Sequence, residues 1–329
     1  MTQIEHPGFV DLQVNGYLGV DFSSPDLQED EIIGLVHAMR EKGTAAFLPT
    51  VITSPVEIIL RNLHLIAETI EKAGLERIVP GIHLEGPFIS DVPGAHGVHP
   101  RECIEKPDIG LLDQFFAAAE GRIRLLTIAA DVEGAADLCR HAISKGIKVS
   151  LGHQMAGYAA VSELAGAGAL AITHLGNGIP AMIPRHDNSL LAGMAEERLN
   201  AMIITDGHHL PAELIGLIVR IKTFDHIIVT SDVAPPSGLA PGDYEAFGKT
   251  VSLREDGRLY QPGTEYLAGS SAVMIDCMNY LAGLDLGKYD ELLKCSRTNA
   301  LRLLGLNEHE IEPLRGLMYT TETRRFNKS

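Results

Sequence analysis

Eight short aliphatic or β-branched runs, each followed by an amphipathic segment with helix start and stop signals, predict a (β/α)8 barrel for this chain of 329 residues. Two further observations point the same way. Strict strand–helix alternation implies parallel strands joined by crossovers, and the length slightly exceeds the ~250 residues such a barrel commonly occupies. No short-period repeat, low-complexity tract or linker interrupts the pattern.

Taken in order, the strand candidates are Phe9–Val14, Ala45–Val51, Val79–Leu84, Arg124–Ala129, Lys148–Leu151, Ala171–Thr173, Ala201–Thr205 and Ile227–Thr230. Between them the 3.6-residue period marks helices that include Asp26–Lys42, Pro55–Ala73, Gly134–Lys145, Tyr158–Gly166 and Pro211–Lys222. After the last strand come a long connection and two more helices, Ser271–Ala282 and Lys288–Leu304. The Gly- and Pro-rich stretches Asp91–Pro107 and Val233–Tyr266 exceed ordinary connection length, which marks them as lid candidates. The expected division is a barrel over residues 1–306 and a C-terminal tail over 307–329.

Hydrophobic residues make up 45% of the chain and charged ones 21%, the composition of a globular enzyme. A formal charge of −16 disfavours nucleic acid or an anionic membrane surface as a partner. The four cysteines, Cys103, Cys139, Cys277 and Cys295, are scattered without a CxxC pair and read as reduced thiols of a cytoplasmic protein. MTQIEHPGFVDLQ lacks the basic and apolar regions of a signal peptide, and no apolar run reaches the ~20 residues of a membrane span.

The C-terminal ends of barrel strands open onto the active site, and the unusual residues fall there. Strand one ends in Gln13 and Asn15, strand three in His83 and Glu85, and strand five in His153. Strand six ends in His174 and Asn177, strand seven in Asp206 and His209, and strand eight in Asp232. Glu85, His153 and His174 offer one carboxylate and two imidazoles, a donor set for one catalytic divalent ion, with zinc as the default and iron or another ion as alternatives. An anionic Glu85 facing a barrel mouth carries a large desolvation cost unless paired, and a cation supplies the pair. His83 shares the side of Glu85 by strand alternation, so it either supports the site or packs in the barrel interior. Many metal-dependent barrels begin with HxH, where this chain has Gln13-Val-Asn15. Amides are poor zinc ligands, so no second, HxH-based metal is expected, and these side chains either bond water or substrate or plug the barrel floor. Asp232 is the candidate general base and acid, the alternative being a loop turn in SDVAPPSG.

PGFVDLQVNG, FLPTVITS, IHLEGPFIS with PGAHG, VSLGH, THLGNGIP, IITDGHH, IVTSDVAPPSG and LAGSS, in order from Pro7 to about Leu306, together resemble the N-acetylglucosamine-6-phosphate deacetylases of the amidohydrolase superfamily. The resemblance implies a metal held by Glu85, His153 and His174, with Asp232 as general base and then acid. It places His96, in PGAHG beside Ala95, against the acetyl carbonyl. Asn177 and Gly178 match contacts to the sugar, His209 a histidine near the substrate phosphate, and Leu267, Ala268 and Gly269 a further substrate loop; Asp206 falls in the same substrate-binding set. The implied reaction is hydrolysis of an N-acetyl amide by metal-bound hydroxide, with Asp232 protonating the departing amine.

Three departures stand out. Six residues precede Pro7 and the tail RGLMYTTETRRFNKS does not match, so the small β-domain of the family is expected to be missing or vestigial, with an oligomeric contact, most simply a homodimer, covering the flank. The phosphate-contacting arginine of the family, which can come from a neighbouring subunit, aligns with Arg185 but with a longer spacing to LAG; the alternative is a surface arginine paired with Asp187. Ala268 stands where serine is common. The competing functions are an amidohydrolase for an unphosphorylated N-acyl sugar or a cyclic amide, and a catalytically silent barrel that binds a sugar phosphate.

Overall fold

The computed structural model describes residues 2–264 and 266–329. Its central sheet has eight parallel strands in chain order: Phe9–Val14, Thr44–Ile52, Ile82–Glu85, Ile123–Ile128, Lys148–Leu151, Ala171–Ile172, Asn200–Ile203 and Ile227–Val229. All are buried or nearly so, as strands covered by helices on one side and barrel core on the other must be. The third strand begins at Ile82 instead of Val79, because Pro80 has no N–H to give the ladder; Glu85 thereby becomes its last residue.

The eighth strand meets the first through a parallel bridge between Val14 and Val233, with the Asn15 N–H donating to the Val233 carbonyl at 2.9 Å. Asp11 reinforces this seam. Its carboxylate accepts from the Thr230 hydroxyl at 2.7 Å, from the Ser231 N–H at 3.1 Å, from the Ser231 hydroxyl, and from the Gln13 N–H at 3.3 Å.

The helices fall where the sequence period predicts, among them Glu29–Glu41, Val56–Ala73, Ala135–Ser144, Tyr158–Ala167 and Ala212–Lys222. The stretch expected as one helix over 288–304 is α-helical at both ends with a π-helical turn, Lys294–Thr298, between them. Among the described residues no helix is long and apolar enough to cross a membrane, and all four cysteines are free thiols.

Besides the short antiparallel pairing of Gly16–Tyr17 with Val20–Asp21, two three-stranded sheets lie outside the barrel among the described residues. The long connection after strand eight carries Gly242–Ala246, Lys249–Leu253 and Leu259–Tyr260, paired antiparallel. Phe247 and Gly248 turn its first hairpin with φ of 57° and 70°, the left-handed pair a tight two-residue hairpin requires. Ala246, Phe247, Val251, Leu253 and Leu259 form a separate hydrophobic cluster with Ile52, Ala234 and Ala268. The other sheet joins Gln3–His6 to Leu317–Thr320 and Arg325–Lys328. It lies where the β-domain was expected to be missing or vestigial, and it includes most of the segment expected as a C-terminal tail. Aromatic contacts of Phe326 with Phe9, at 5.3 Å between centroids, and with Tyr319, at 4.8 Å, fix it to the barrel.

Candidate active site

Glu85, the last residue of strand three, is 2% exposed. Its Oε1 lies 3.2 Å from His153 Nε2 and 3.1 Å from His174 Nε2, and the two nitrogens are 3.0 Å apart. The backbone fixes the protonation of one ring: His153 Nδ1 donates to the Ala95 carbonyl at 2.8 Å, so in the neutral imidazole Nε2 presents a lone pair. A lone pair facing a carboxylate oxygen at 3.2 Å repels unless a cation lies between them. Burial pushes the Glu85 carboxyl up, but its bonds to His153 and His174 outweigh this and hold it well below the usual range. Burial likewise opposes charge on His174, while Glu85 wins and raises it. The cluster draws positive charge to one point, and its donors fit a divalent ion of the kind held by two imidazoles and a carboxylate.

The strand ends are shaped for this convergence. His153, His174 and Asp232 all adopt positive φ, 52°, 32° and 53°, a conformation that costs about 1–3 kcal/mol per residue and is concentrated at functional sites. Gly178 closes over the two imidazoles; a Cβ there would lie 3.0 Å from both His153 Nδ1 and His174 Cε1.

Asn15 Nδ2 donates to Asp232 Oδ1 at 2.7 Å, and Gln13 Nε2 donates to both oxygens of Glu85 at 2.9 and 3.0 Å. These two amides therefore bond the carboxylates directly, while Gln13 Oε1, Asn15 Oδ1 and His174 Nδ1 are buried without a partner among the described residues. Burial first, and then the charge of Glu85, push the Asp232 carboxyl up to about 6. That places a proton acceptor near the working range of a general base.

A cavity of about 240 Å³ opens above these groups. Gln13, Asn15, Glu85, His153, His174, Asn177, Gly178, His209, Asp232, Leu267 and Gly269 of the expected set line it. Asp206 stands behind His209, accepting from its Nδ1 at 2.7 Å and from its backbone N–H at 2.9 Å, which leaves Nε2 as the free ring nitrogen. Ser270 donates to the same carboxylate at 3.0 Å.

Other expected residues are placed differently. His83 is held between Thr127 at 2.8 Å and Thr50 at 3.4 Å, has no bond to Glu85, and is pushed down to about 4 by burial, so it is a packed interior histidine. Ala268 is buried in the hairpin cluster and does not line the cavity. Ala95 contributes its carbonyl to His153 instead of lining the cavity. Arg185 is exposed outside the cavity and forms no ion pair among the described residues; Asp187, its alternative partner, accepts from the Tyr158 N–H at the start of helix Tyr158–Ala167. His96 does not line the cavity. His99, three residues on, does, and sequence reasoning passed over it. The available signal was a second histidine in PGAHGVHP, but no periodicity in a Gly- and Pro-rich loop says which ring turns inward.

No protein-family profile matches the sequence. The chain is 31% identical to the N-acetylglucosamine-6-phosphate deacetylase of Bos taurus over 317 residues, covering 92% of this chain and 75% of that protein. It is 28% identical to the N-acetylgalactosamine-6-phosphate deacetylase of Escherichia coli O157:H7, over 92% of this chain and 78% of that one. The crystal structure of N-acetyl-D-glucosamine-6-phosphate deacetylase from Mycobacterium smegmatis superposes with a TM-score of 0.88 at 25% identity, over 99% of this chain and 85% of that one. With a carboxylate and two imidazoles converging at the mouth of a parallel barrel, the chain belongs to the N-acetylglucosamine-6-phosphate deacetylase family of amidohydrolases, hydrolases of carbon–nitrogen bonds.

Proposed function

We propose that the protein removes the acetyl group from an N-acetylated amino sugar, with N-acetylglucosamine 6-phosphate as the first substrate to test. Glu85, His153 and His174 would hold one zinc ion. The convergence of their three donor atoms within 3.0–3.2 Å of one another, in a cavity that Asp232 also lines, carries this reading. When bound, such an ion acidifies a water and polarises a carbonyl. Asp232, steadied by Asn15, takes the proton of the attacking water and delivers it to the sugar nitrogen as the C–N bond breaks. Gln13 keeps the Glu85 carboxylate oriented through both oxygens. Asn177 and Gly178, from the loop after strand six, and Leu267 and Gly269, from the loop before helix Met274–Gly283, line the cavity where the sugar would sit.

One observation favours an unphosphorylated sugar: no lysine or arginine lines the cavity among the described residues. His209, aimed by Asp206, is the group offered to a phosphate, and exposed Arg185 could serve only across a homodimer. Both epimers belong in the test, since relatives named for glucosamine and for galactosamine match almost equally well. Acetate release is to be measured from N-acetylglucosamine and N-acetylgalactosamine, each with and without a 6-phosphate, alongside metal content. Preference for a phosphorylated sugar that drops on His209→Ala or Arg185→Ala supports the phosphate reading; equal turnover with and without phosphate supports the second. A zinc-loaded preparation inert toward all four rules out both.

A further inference from the structure

We infer that Ile52, Val98 and Phe247 form the pocket that receives the methyl of the N-acyl group and restricts the enzyme to acyl chains of acetyl size. The inference rests on the N-acyl hydrolysis proposed above and adds to it a limit on the acyl group. The amide to be cut is secondary and, like a peptide bond, planar and trans. Its methyl and the sugar ring carbon therefore stand at opposite ends, about 3.8 Å apart. Whichever side of the cavity takes the sugar, the methyl faces the other.

The strand order says which side that is. Asn177 and Gly178 follow strand six and His209 follows strand seven, and in a ring of eight these lie across from strands two and three. Ile52 is the last residue of strand two and pairs in register with Glu85, so by the pleat its side chain points into the mouth as that of Glu85 does. Val98 sits in the loop after strand three between Gly97 and His99, and all three line the cavity. Phe247 reaches the cavity from the hairpin after strand eight, and Val98 packs against the cluster that contains Phe247 and Ile52. The remaining apolar lining, Ile179, Tyr266 and Leu267, comes from the loop after strand six and the loop before helix Met274–Gly283, so it belongs with the sugar.

This apolar face is closed behind and held from the side. Ile52 and Phe247 are 2% and 6% exposed and pack against Val251, Leu253 and Leu259 of the hairpin sheet, so a chain longer than acetyl runs into packed side chains. Polar contacts fix both residues by their backbones. The Ile52 N–H donates to the Ser23 hydroxyl at 2.9 Å, and the Asp21 carboxylate accepts from the Ser23 N–H at 2.8 Å and from the Phe247 N–H at 3.2 Å. One carboxylate thereby ties the strand-two side of the pocket to the hairpin side.

The test uses the full chain with its metal content measured. The substrates are the N-acetyl, N-propionyl and N-butyryl forms of whichever amino sugar the parent deacetylates fastest, glucosamine or galactosamine with or without a 6-phosphate, and the released carboxylate is followed by proton NMR. The parent should favour acetyl over propionyl by roughly 10-fold or more in kcat/KM, and over butyryl by a larger factor. Phe247→Ala should raise the butyryl-to-acetyl ratio by roughly 10-fold or more, with metal content unchanged. Ile52→Val, a smaller change, should raise the propionyl-to-acetyl ratio by less. Ile179→Ala should raise KM for all three substrates and leave their ratios as in the parent. A parent that cleaves the butyryl amide as fast as the acetyl one overturns the inference, and so does an unchanged ratio in Phe247→Ala or a ratio that shifts in Ile179→Ala alone. If the alanine variant at Phe247 does not fold, Phe247→Leu and Ile52→Val carry the same comparison, with unchanged ratios in both overturning the inference. A parent that releases no carboxylate from any N-acylated amino sugar defeats the functional proposal itself, a result that needs no variant, whereas the ratios are read only from an active parent.

Discussion

Asp11 and Glu85 are buried carboxylates on either side of Gln13, and their surroundings could hardly differ more. Asp11, at the seam, accepts four hydrogen bonds from Thr230, Ser231 and Gln13, all from neutral donors. Burial raises its pKa in spite of them. Glu85, at the mouth, receives one amide and faces two imidazoles, which hold it ionised. The seam is complete within the protein, whereas the mouth assembles acceptors around a point that the protein's own donors do not fill. Structural polar groups bond one another; functional ones are left oriented toward something else.

The largest expected effect comes from removing the carboxylate at the mouth. Glu85→Gln should lose metal and acetate release together while its urea denaturation midpoint, measured metal-free, stays within the parent's range; retention of metal by that variant would break the contrast. Asp232→Asn comes next, with kcat reduced about 10²–10⁴-fold, the usual worth of a general acid–base, and metal content unchanged by elemental analysis. Asp11→Ala should act in the opposite sense, lowering stability by about 3 kcal/mol because several buried donors lose their acceptor, as read by urea denaturation, with kcat per folded molecule preserved. Gln13→Ala is the mildest: metal affinity falls roughly 10–100-fold, as for other groups that orient a ligand, measured by competition with a chelator. If Gln13→Ala instead destabilised the fold as much as Asp11→Ala, Gln13 would belong with the seam.

The barrel was legible because its signals are local: aliphatic runs and 3.6-residue periods recur eight times, and seven of the eight strands lie within a residue or two of their expected bounds. The third shifted because Pro80 could not join a ladder. Glu85, His153 and His174 were legible from their places at strand ends, where the fold fixes direction. Asp11 was not, since on the sequence it is one polar residue in the alternation of strand one, and only closure of the barrel brings Ser231 to it. His99 was missed for a related reason: the aim of a loop side chain depends on contacts such as Thr53, 46 residues away in sequence. The sheet within residues 233–266 was hidden by the Gly and Pro content of its turns, and the terminal sheet by pairing between opposite ends of the chain, Gln3 with Thr320.

The hairpin after strand eight carries one last implication. Phe247 at its turn forms part of the cavity wall, yet its apolar neighbours make a cluster separate from the main core. Ile52, at the end of strand two, anchors that cluster to the barrel, so loosening the cluster is expected to disturb the cavity wall while the eight strands stay paired. Trimming Val251 or Leu253 should accordingly hasten amide exchange in the hairpin and change release rates before it touches the bond-breaking step.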